Sequence, residues 1–280
     1  MMNPNEEISI ICRLTGSDPA KIEQRDDGFL SRAYLIENGK IVFKFKKEEN
    51  ADYGIEEQML NFIGTLSLPV KVQKVGWTSP DYSYIGLYGI IGNNLENLTL
   101  TSTQKDQIGM QLGECLKILH QAKCDQAQPY SLASEIDIWQ QRYEYSIPTL
   151  REYFSPFELK KIDDLMMREM PSELRGFGEK MVLSHGDLSS GNIVVDDQLN
   201  VGIIDFSEML YLDEAADFMD IGDEEICRSM LDTYGAGGNL RRKVSIRRLI
   251  RPVYIIGTYA ASGRKKETDQ LASMIRRTIL

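Results

Sequence analysis

The sequence predicts an α+β fold in which an antiparallel sheet comes first and a larger, mainly helical region follows. Three observations predict it. Residues 22–35 and 40–45 alternate in the manner of strands, with turn signals at Asp26-Asp27-Gly28 and Glu37-Asn38-Gly39. A helical stripe of Ile108, Leu112, Cys115, Leu116 and Leu119 opens the second part. Between residues 181 and 205, short apolar strands bracket a polar loop with His185, Asp187 and Asn192, and the last strand ends on Asp205.

Composition narrows the function classes. A chain of 280 residues can hold one large domain or two modest lobes with a good core. No apolar run approaches a membrane span, and Glu6 and Glu7 stand where a signal peptide would be basic. A cytoplasmic protein without membrane partners is therefore expected. A formal net charge of −10 argues against a nucleic-acid binder. Four cysteines lie far apart without metal-ligand spacing, beside only two histidines, so structural thiols in a reducing cytosol are expected and a zinc site is not. Charge is segregated: residues 181–227 hold twelve acidic and no basic side chains, whereas residues 228–280 hold twelve basic and three acidic ones.

Taken in order, residues 8–14 lead in as a short helix or strand. Asn38-Gly39 between apolar runs signals a hairpin. Lys44 falls within the apolar run Ile41-Val42-Phe43-Lys44-Phe45, where an ammonium costs free energy unless it is paired or reaches water. It either points outward from an edge strand, as Lys46 on the same face suggests, or is held by a carboxylate to bind phosphate. Ile55, Met59, Phe62, Ile63 and Leu66 mark the apolar face of the next helix, flanked by Glu56. Residues 68–70, 72–77 and 83–92 complete the strands. Residues 103–121 form a helix for which Thr103 and Asp106 suggest a capping box. Residues 136–153 and 157–170 read as further helices. Arg241, Arg242, Lys243, Arg247, Arg248 and Arg251 give a basic helix with a solvated charged face and Leu249, Ile250, Val253 and Ile256 turned inward.

The loop at residues 185–192 carries the chemistry. Phosphoryl transfer needs a carboxylate to orient and deprotonate the acceptor hydroxyl, and oxygen ligands to hold Mg²⁺ on a triphosphate. Asp187 suits the first task. Asn192 and Asp205 suit the second, because a turn at residues 196–200 would return Asp205 to the same end as Asn192. A buried turn capped by Asp and Asn is the plainer alternative, and the apolar strand ending in a second Asp argues against it.

The run His185-Gly186-Asp187-Leu188-Ser189-Ser190-Gly191-Asn192-Ile193-Val194-Val195, with Ile203-Ile204-Asp205-Phe206, resembles the catalytic and metal segments of the aminoglycoside phosphotransferases. These are small-molecule kinases related in fold to protein kinases. The resemblance implies a two-lobed protein-kinase-like fold, with a nucleotide-binding lobe at residues 1–91 and a catalytic and acceptor-binding lobe at residues 92–280. It implies ATP or GTP with Mg²⁺ as cofactors, Asp187 and His185 as catalytic residues, and Asn192 and Asp205 as metal ligands. Lys44 would bind the α- and β-phosphates while paired with Glu56, or with Glu57 instead. Gly28 and Ser31 would cover the phosphates, and the main chain of Tyr88 and Ile90 would face the base.

On the acceptor side, Asp223-Glu224-Glu225 and the apolar helix ending at Tyr234-Gly235 resemble the amine-binding segment of the aminoglycoside 2''-phosphotransferases. Asp187 and Glu208 join these three as expected acceptor-binding residues. The plainer reading of Asp223, Glu224 and Glu225 is negative charge stabilising a helix start. Asn192 departs from that subclass, whose members often carry His there. The expectation is a monomeric kinase that moves the γ-phosphoryl group to a hydroxyl of a cationic aminoglycoside. A choline, homoserine, fructosamine or macrolide kinase is the alternative, as is a non-catalytic nucleotide-binding protein, against which the intact Lys44, Asp187, Asn192 and Asp205 argue.

Overall fold

The computed structural model describes residues 2–25, 31–47 and 52–280. Gly28 lies outside the described residues. The chain opens with helix α1 (Pro4–Thr15), then β1 (Ile22–Arg25), β2 (Ser31–Ile36), β3 (Ile41–Lys46) and α2 (Tyr53–Ile63). Short strands β4 (Lys71–Val72), β5 (Lys74–Thr78), β6 (Tyr84–Tyr88) and β7 (Asn93–Asn94) precede α3 (Ser102–Leu119). Helices α4 (Leu132–Tyr153), α5 (Pro156–Asp164) and α6 (Met170–Gly176) follow. Strands β8 (Met181–Ser184), β9 (Ile193–Val195), β10 (Val201–Ile203) and β11 (Leu210–Asp213) lead to α7 (Glu224–Tyr234), α8 (Gly238–Ala261) and α9 (Lys265–Thr278). An antiparallel sheet followed by a mainly helical remainder is the α+β order expected from the sequence.

The chain divides into two compact units. One comprises Met1–Ala127, His185–Met209 and Ile221–Tyr234; the other comprises Gln128–Ser184, Leu210–Asp220 and Gly235–Leu280.

The first unit is built on an antiparallel sheet ordered β1-β2-β3-β6-β5. One face is aromatic and buried: Tyr34, Ile36, Phe43 and Phe45 pack with Ile11 of α1. Glu7 of α1 is buried against it, accepting from Arg32 Nε (2.8 Å) and Tyr34 Oη (2.6 Å). Side chains alternate along a strand, so Lys44 and Lys46 share the opposite face of β3. β3 is flanked by β2 and β6, which removes the edge-strand reading of Lys44.

Helix α2 buries Tyr53, Gly54, Glu56, Met59, Leu60 and Ile63, while Ile55 is 44% exposed. The buried stripe is thus offset from the apolar one expected, because a carboxylate occupies a core position. A second sheet, ordered β4-β10-β9-β7, joins the two remote segments of this unit. Helices α3 and α7 pack closely through small residues, since a Cβ at Gly109 would meet the Ser229 side chain at 2.6 Å. The cap of α3 is Thr101 with Gln104, two residues before the expected box, because the pair that satisfies the first-turn N–H groups sits there.

In the second unit, α4 and α8 supply most of a core containing Ile136, Trp139, Tyr143, Ile250 and Tyr254. The α8 face expected to be solvated is partly buried. Lys243 donates to Asp213 (2.7 Å) and Arg247 to Glu135 (2.8 Å), and the Arg247 guanidinium lies 4.9 Å from the Trp139 ring centre. Residues four apart on a helix share a face, so two buried cations meet two buried carboxylates on that side.

Candidate active site

The polar loop folds through a glycine. Gly186 has φ 87°, and a Cβ there would collide with the Glu208 carbonyl, so only glycine takes the turn. Beyond it the main-chain N–H of Asp187 donates to His185 Nδ1 (3.3 Å), and His185 Nε2 donates to the Ile204 carbonyl (3.0 Å). These partners place the proton of the neutral ring on Nε2. The buried ring packs against Phe206, with centroids 4.8 Å apart. With both nitrogens on main-chain groups, His185 fixes the loop to the end of β10.

Asn192 locks the carboxylate itself. Its Nδ2 donates to the Asp187 carbonyl and to Asp187 Oδ2, both at 2.8 Å. Both amide hydrogens are thereby committed, and the amide oxygen is the acceptor end that remains. Asn94 donates to the Gly191 carbonyl from β7. Ile193 pairs with Ile203, and the Ile204 N–H continues the ladder to the Asn192 carbonyl (3.0 Å). Asn192 and Asp205 therefore stand at the same end of the β9–β10 hairpin. Its turn is held by Asp196, whose carboxylate accepts from Lys71 and Asn200; these bonds hold its pKa well below the usual carboxylate range. Gln111 adds a bidentate clamp, donating to the Leu199 carbonyl and accepting from the Val201 N–H.

Asp205 takes the left-handed conformation (φ 65°), uncommon for a residue with a Cβ. Its N–H donates to Gln73 Oε1 (3.4 Å), and its Oδ1 accepts from Ser207 Oγ (2.8 Å) and Lys44 Nζ (2.9 Å). Lys44 Nζ also donates to Glu56 Oε1 at 2.7 Å. Glu57 instead accepts from Thr78. Burial would raise the pKa of Asp205, but the Lys44 ammonium and the Ser207 hydroxyl more than reverse this and leave it lowered. For Glu56, only 1% exposed, burial prevails over Lys44 and the pKa is raised. Burial also works against the charge on Lys44, yet the two carboxylates raise its pKa and keep it protonated.

The donor set can be tested for a cation. Among the described residues no group of three or more His, Cys, Asp or Glu could hold a metal ion. One carboxylate and one amide oxygen at the end of a hairpin suit Mg²⁺, which keeps waters and is held largely by its substrate's phosphates.

The remaining expected residues are dispersed. Ser31 Oγ accepts from Tyr53 Oη (2.8 Å). Tyr88 ends β6 with its exposed ring against Trp77, and the Ile90 side chain lies over Gly202, where a Cβ would come within 2.7 Å of it. The Glu208 side chain is exposed, and its main chain packs on Gly186. Asp223 caps α7, accepting from the N–H groups of Glu225 (2.9 Å) and Ile226 (3.1 Å). Its other oxygen lies 2.8 Å from Lys105 Nζ of α3, and Glu225 Oε1 lies 3.8 Å from the same ammonium. Burial raises the pKa of Asp223, but Lys105 and the cap bonds bring it below the ordinary value.

Sequence reasoning missed Tyr53, Gln73, Asn94, Lys105 and Ser207. Only Ser207 had a local signal, its place just past Asp205-Phe206. Tyr53 lies one turn before Glu56 on α2, and Gln73, Asn94 and Lys105 arrive from distant segments.

Comparison with known proteins places this geometry in context. The family model described as "APH: Phosphotransferase enzyme family" matches residues 21–246. A search of curated proteins gives no match. Among solved structures, the GDP and kanamycin complex of APH(2")-IIia superposes with a TM-score of 0.74 at 19% identity, covering 98% of both chains. Macrolide 2'-phosphotransferase MphH from Brachybacterium faecium gives 0.66 at 17% identity, covering 97% of this chain and 98% of its own. Spectinomycin phosphotransferase APH(9)-Ia, in complex with ADP and spectinomycin, gives 0.67 at 14% identity, covering 99% and 94%. These likenesses establish the kinase-like fold over the length of the chain.

Proposed function

The chain belongs to the phosphotransferase enzyme family whose model spans residues 21–246, and on that premise we propose that it transfers the γ-phosphoryl group of ATP or GTP to a hydroxyl of a small molecule, an aminoglycoside foremost. The observation that carries the reading is the fixed Asp187 carboxylate. Asn192 holds its Oδ2 and its main-chain carbonyl, and the carboxylate oriented in this way takes the hydroxyl proton and aims the attacking oxygen. His185 positions the loop through its two ring nitrogens and passes no proton to or from the acceptor. Lys44, held by Glu56, binds the α- and β-phosphates.

Asp205 and Asn192 would hold Mg²⁺, which when bound neutralises charge on the phosphates. Ser31 contacts phosphate, Gly28 belongs to the same covering loop, and the main chain around Tyr88 and Ile90 receives the base. In this reading residues 1–91 bind nucleotide, residues 92–280 provide catalysis and acceptor binding, and the enzyme works as a cytoplasmic monomer. The described residues include no helix long and apolar enough to cross a membrane.

The aminoglycoside assignment rests on the whole-chain likeness to kanamycin- and gentamicin-complexed structures rather than on residues 223–225. Lys105 already neutralises part of that segment, which lowers the negative charge that it and Glu208 present to an acceptor ammonium. The same observation favours a second reading, a less highly charged acceptor such as a macrolide. Measuring nucleoside diphosphate formation with aminoglycosides, macrolides and choline, each with ATP and with GTP, decides between them. Turnover with an aminoglycoside supports the first reading, turnover confined to macrolides the second, and turnover with none contradicts both.

A further inference from the structure

Helix α2 and strand β3 meet along two rungs. In the first, Lys44 meets Glu56 at 2.7 Å, and Asp205 adds a second carboxylate. The next lysine on that strand face is Lys46, and one turn back on α2, on the same face as Glu56, is Tyr53. In this second rung the Lys46 ammonium lies 5.7 Å from the centre of the Tyr53 ring. An aromatic face attracts a cation without cancelling its charge. Lys44 is thus shared by two anions, whereas Lys46 has no carboxylate partner among the described residues.

The same tyrosine reaches a third group. Ser31 is the cross-strand partner of Lys46 in the β2–β3 register, which puts the two side chains on one face. Tyr53 is only 3% exposed and donates its hydroxyl hydrogen to Ser31 Oγ at 2.8 Å. Burial pushes the Tyr53 pKa up to about 12, so the phenol remains a donor through the neutral range. Because Ser31 Oγ accepts there, its own hydrogen turns to another acceptor. An unneutralised ammonium beside a hydroxyl donor is the chemistry that receives a phosphate oxygen.

We propose that Lys46 joins Ser31, already read as a phosphate contact, in holding the nucleoside triphosphate beyond Lys44, and that Tyr53 is the positioning residue that sets both. The inference rests on the reading that Lys44 binds the nucleotide's phosphates.

Calorimetric titration of the full chain with Mg·ATP and Mg·GTP tests it, with adenosine and guanosine as phosphate-free controls. Lys46→Met should weaken triphosphate binding roughly tenfold, the scale of one charge-assisted hydrogen bond, and leave nucleoside binding unchanged. Lys46→Arg should restore most of the loss. Ser31→Ala and Tyr53→Phe should each weaken the triphosphate, and the double variant should do no worse than the weaker-binding single one, because both act through one hydroxyl. If Lys44→Met weakens triphosphate binding while Lys46→Met and Lys46→Gln, both with wild-type melting temperatures, bind it as the wild type does, the inference is wrong and the nucleotide reading stands. If Lys44→Met also leaves binding unchanged, the nucleotide reading falls and takes the inference with it.

Discussion

Two clusters of charge, one in each unit, use the same residue types to opposite ends. In the first unit Lys44 bridges Glu56 and Asp205; in the second, Lys243 and Arg247 bridge Asp213 and Glu135. The Asp205 side chain is 40% exposed, whereas Asp213 is fully buried. Asp213 spends both oxygens inside its cluster, on Lys243 and on Arg247. Asp205 spends Oδ1 on Lys44 and Ser207 and lies at a hairpin end where Oδ2 can meet a cation. Buried ion pairs are therefore no sign of chemistry in themselves. What marks a site is a charged atom that the fold orders and leaves accessible.

The sharpest way to break this comparison is to remove the aspartate from each cluster. Asp205→Ala should abolish turnover, because it removes the carboxylate proposed for the metal, with a small change in melting temperature. Asp213→Ala should do the reverse. It strands Lys243 as a buried cation and leaves Arg247 with Glu135 alone, costing about 3–5 kcal/mol, while turnover per folded molecule stays near wild type. Thermal melts and activity on the same preparations separate the two, and equal losses of stability would erase the distinction.

Next in size is Lys44→Met. It should raise the nucleotide KM by roughly 10- to 100-fold, as expected for losing a charge-assisted hydrogen bond. Initial rates at saturating acceptor check this; an unchanged KM would move phosphate binding elsewhere.

A smaller effect belongs to Asp223. As an N-cap paired with Lys105, its replacement by Ala should cost about 1 kcal/mol and lower the melting temperature by roughly 2–4 °C, with little change in acceptor KM. A KM that rises without a change in melting would return Asp223 to the acceptor site.

The smallest contrast is in pH. The Asp205 pKa is lowered, so its contribution to stability is present above its ordinary value of 3.8 and is lost as pH falls toward the folded value. Burial raises the pKa of Glu135 despite Arg247, so its contribution is full below 4.5 and declines as pH rises through the folded value. Relative to wild type, Asp205→Asn should therefore flatten the acid side of the stability–pH curve, and Glu135→Gln should flatten the decline above pH 4.5. Parallel curves for all three proteins would contradict these assignments.

Legibility in the sequence followed the range of the interactions. The Asn38-Gly39 hairpin, the β9–β10 hairpin and the loop at residues 185–192 are local, and spacing alone located them. Periodicity turns Ile55 of α2 inward because it counts apolar residues, and it cannot see that Glu56 takes a core position to meet Lys44 from a strand. Lys243 and Arg247 misled for the same reason, since basic residues on a helix look solvated until their carboxylates arrive from β11 and α4. The parallel pairing of β4 with β10 joins segments too far apart in sequence for any local pattern to report. Lys105 likewise answered the acidic segment from outside the window in which no basic residue occurs.

The central claim is that the fixed Asp187 carboxylate directs phosphoryl transfer to an acceptor hydroxyl. The most direct test is to measure phosphorylated acceptor by mass spectrometry for the wild type and Asp187→Asn, alongside nucleotide affinity for both. The account predicts turnover by the wild type on at least one hydroxylated acceptor, a fall in kcat of about 10²- to 10⁴-fold in the variant, and nearly unchanged nucleotide binding. A variant that turns over its best acceptor at the wild-type rate would contradict it.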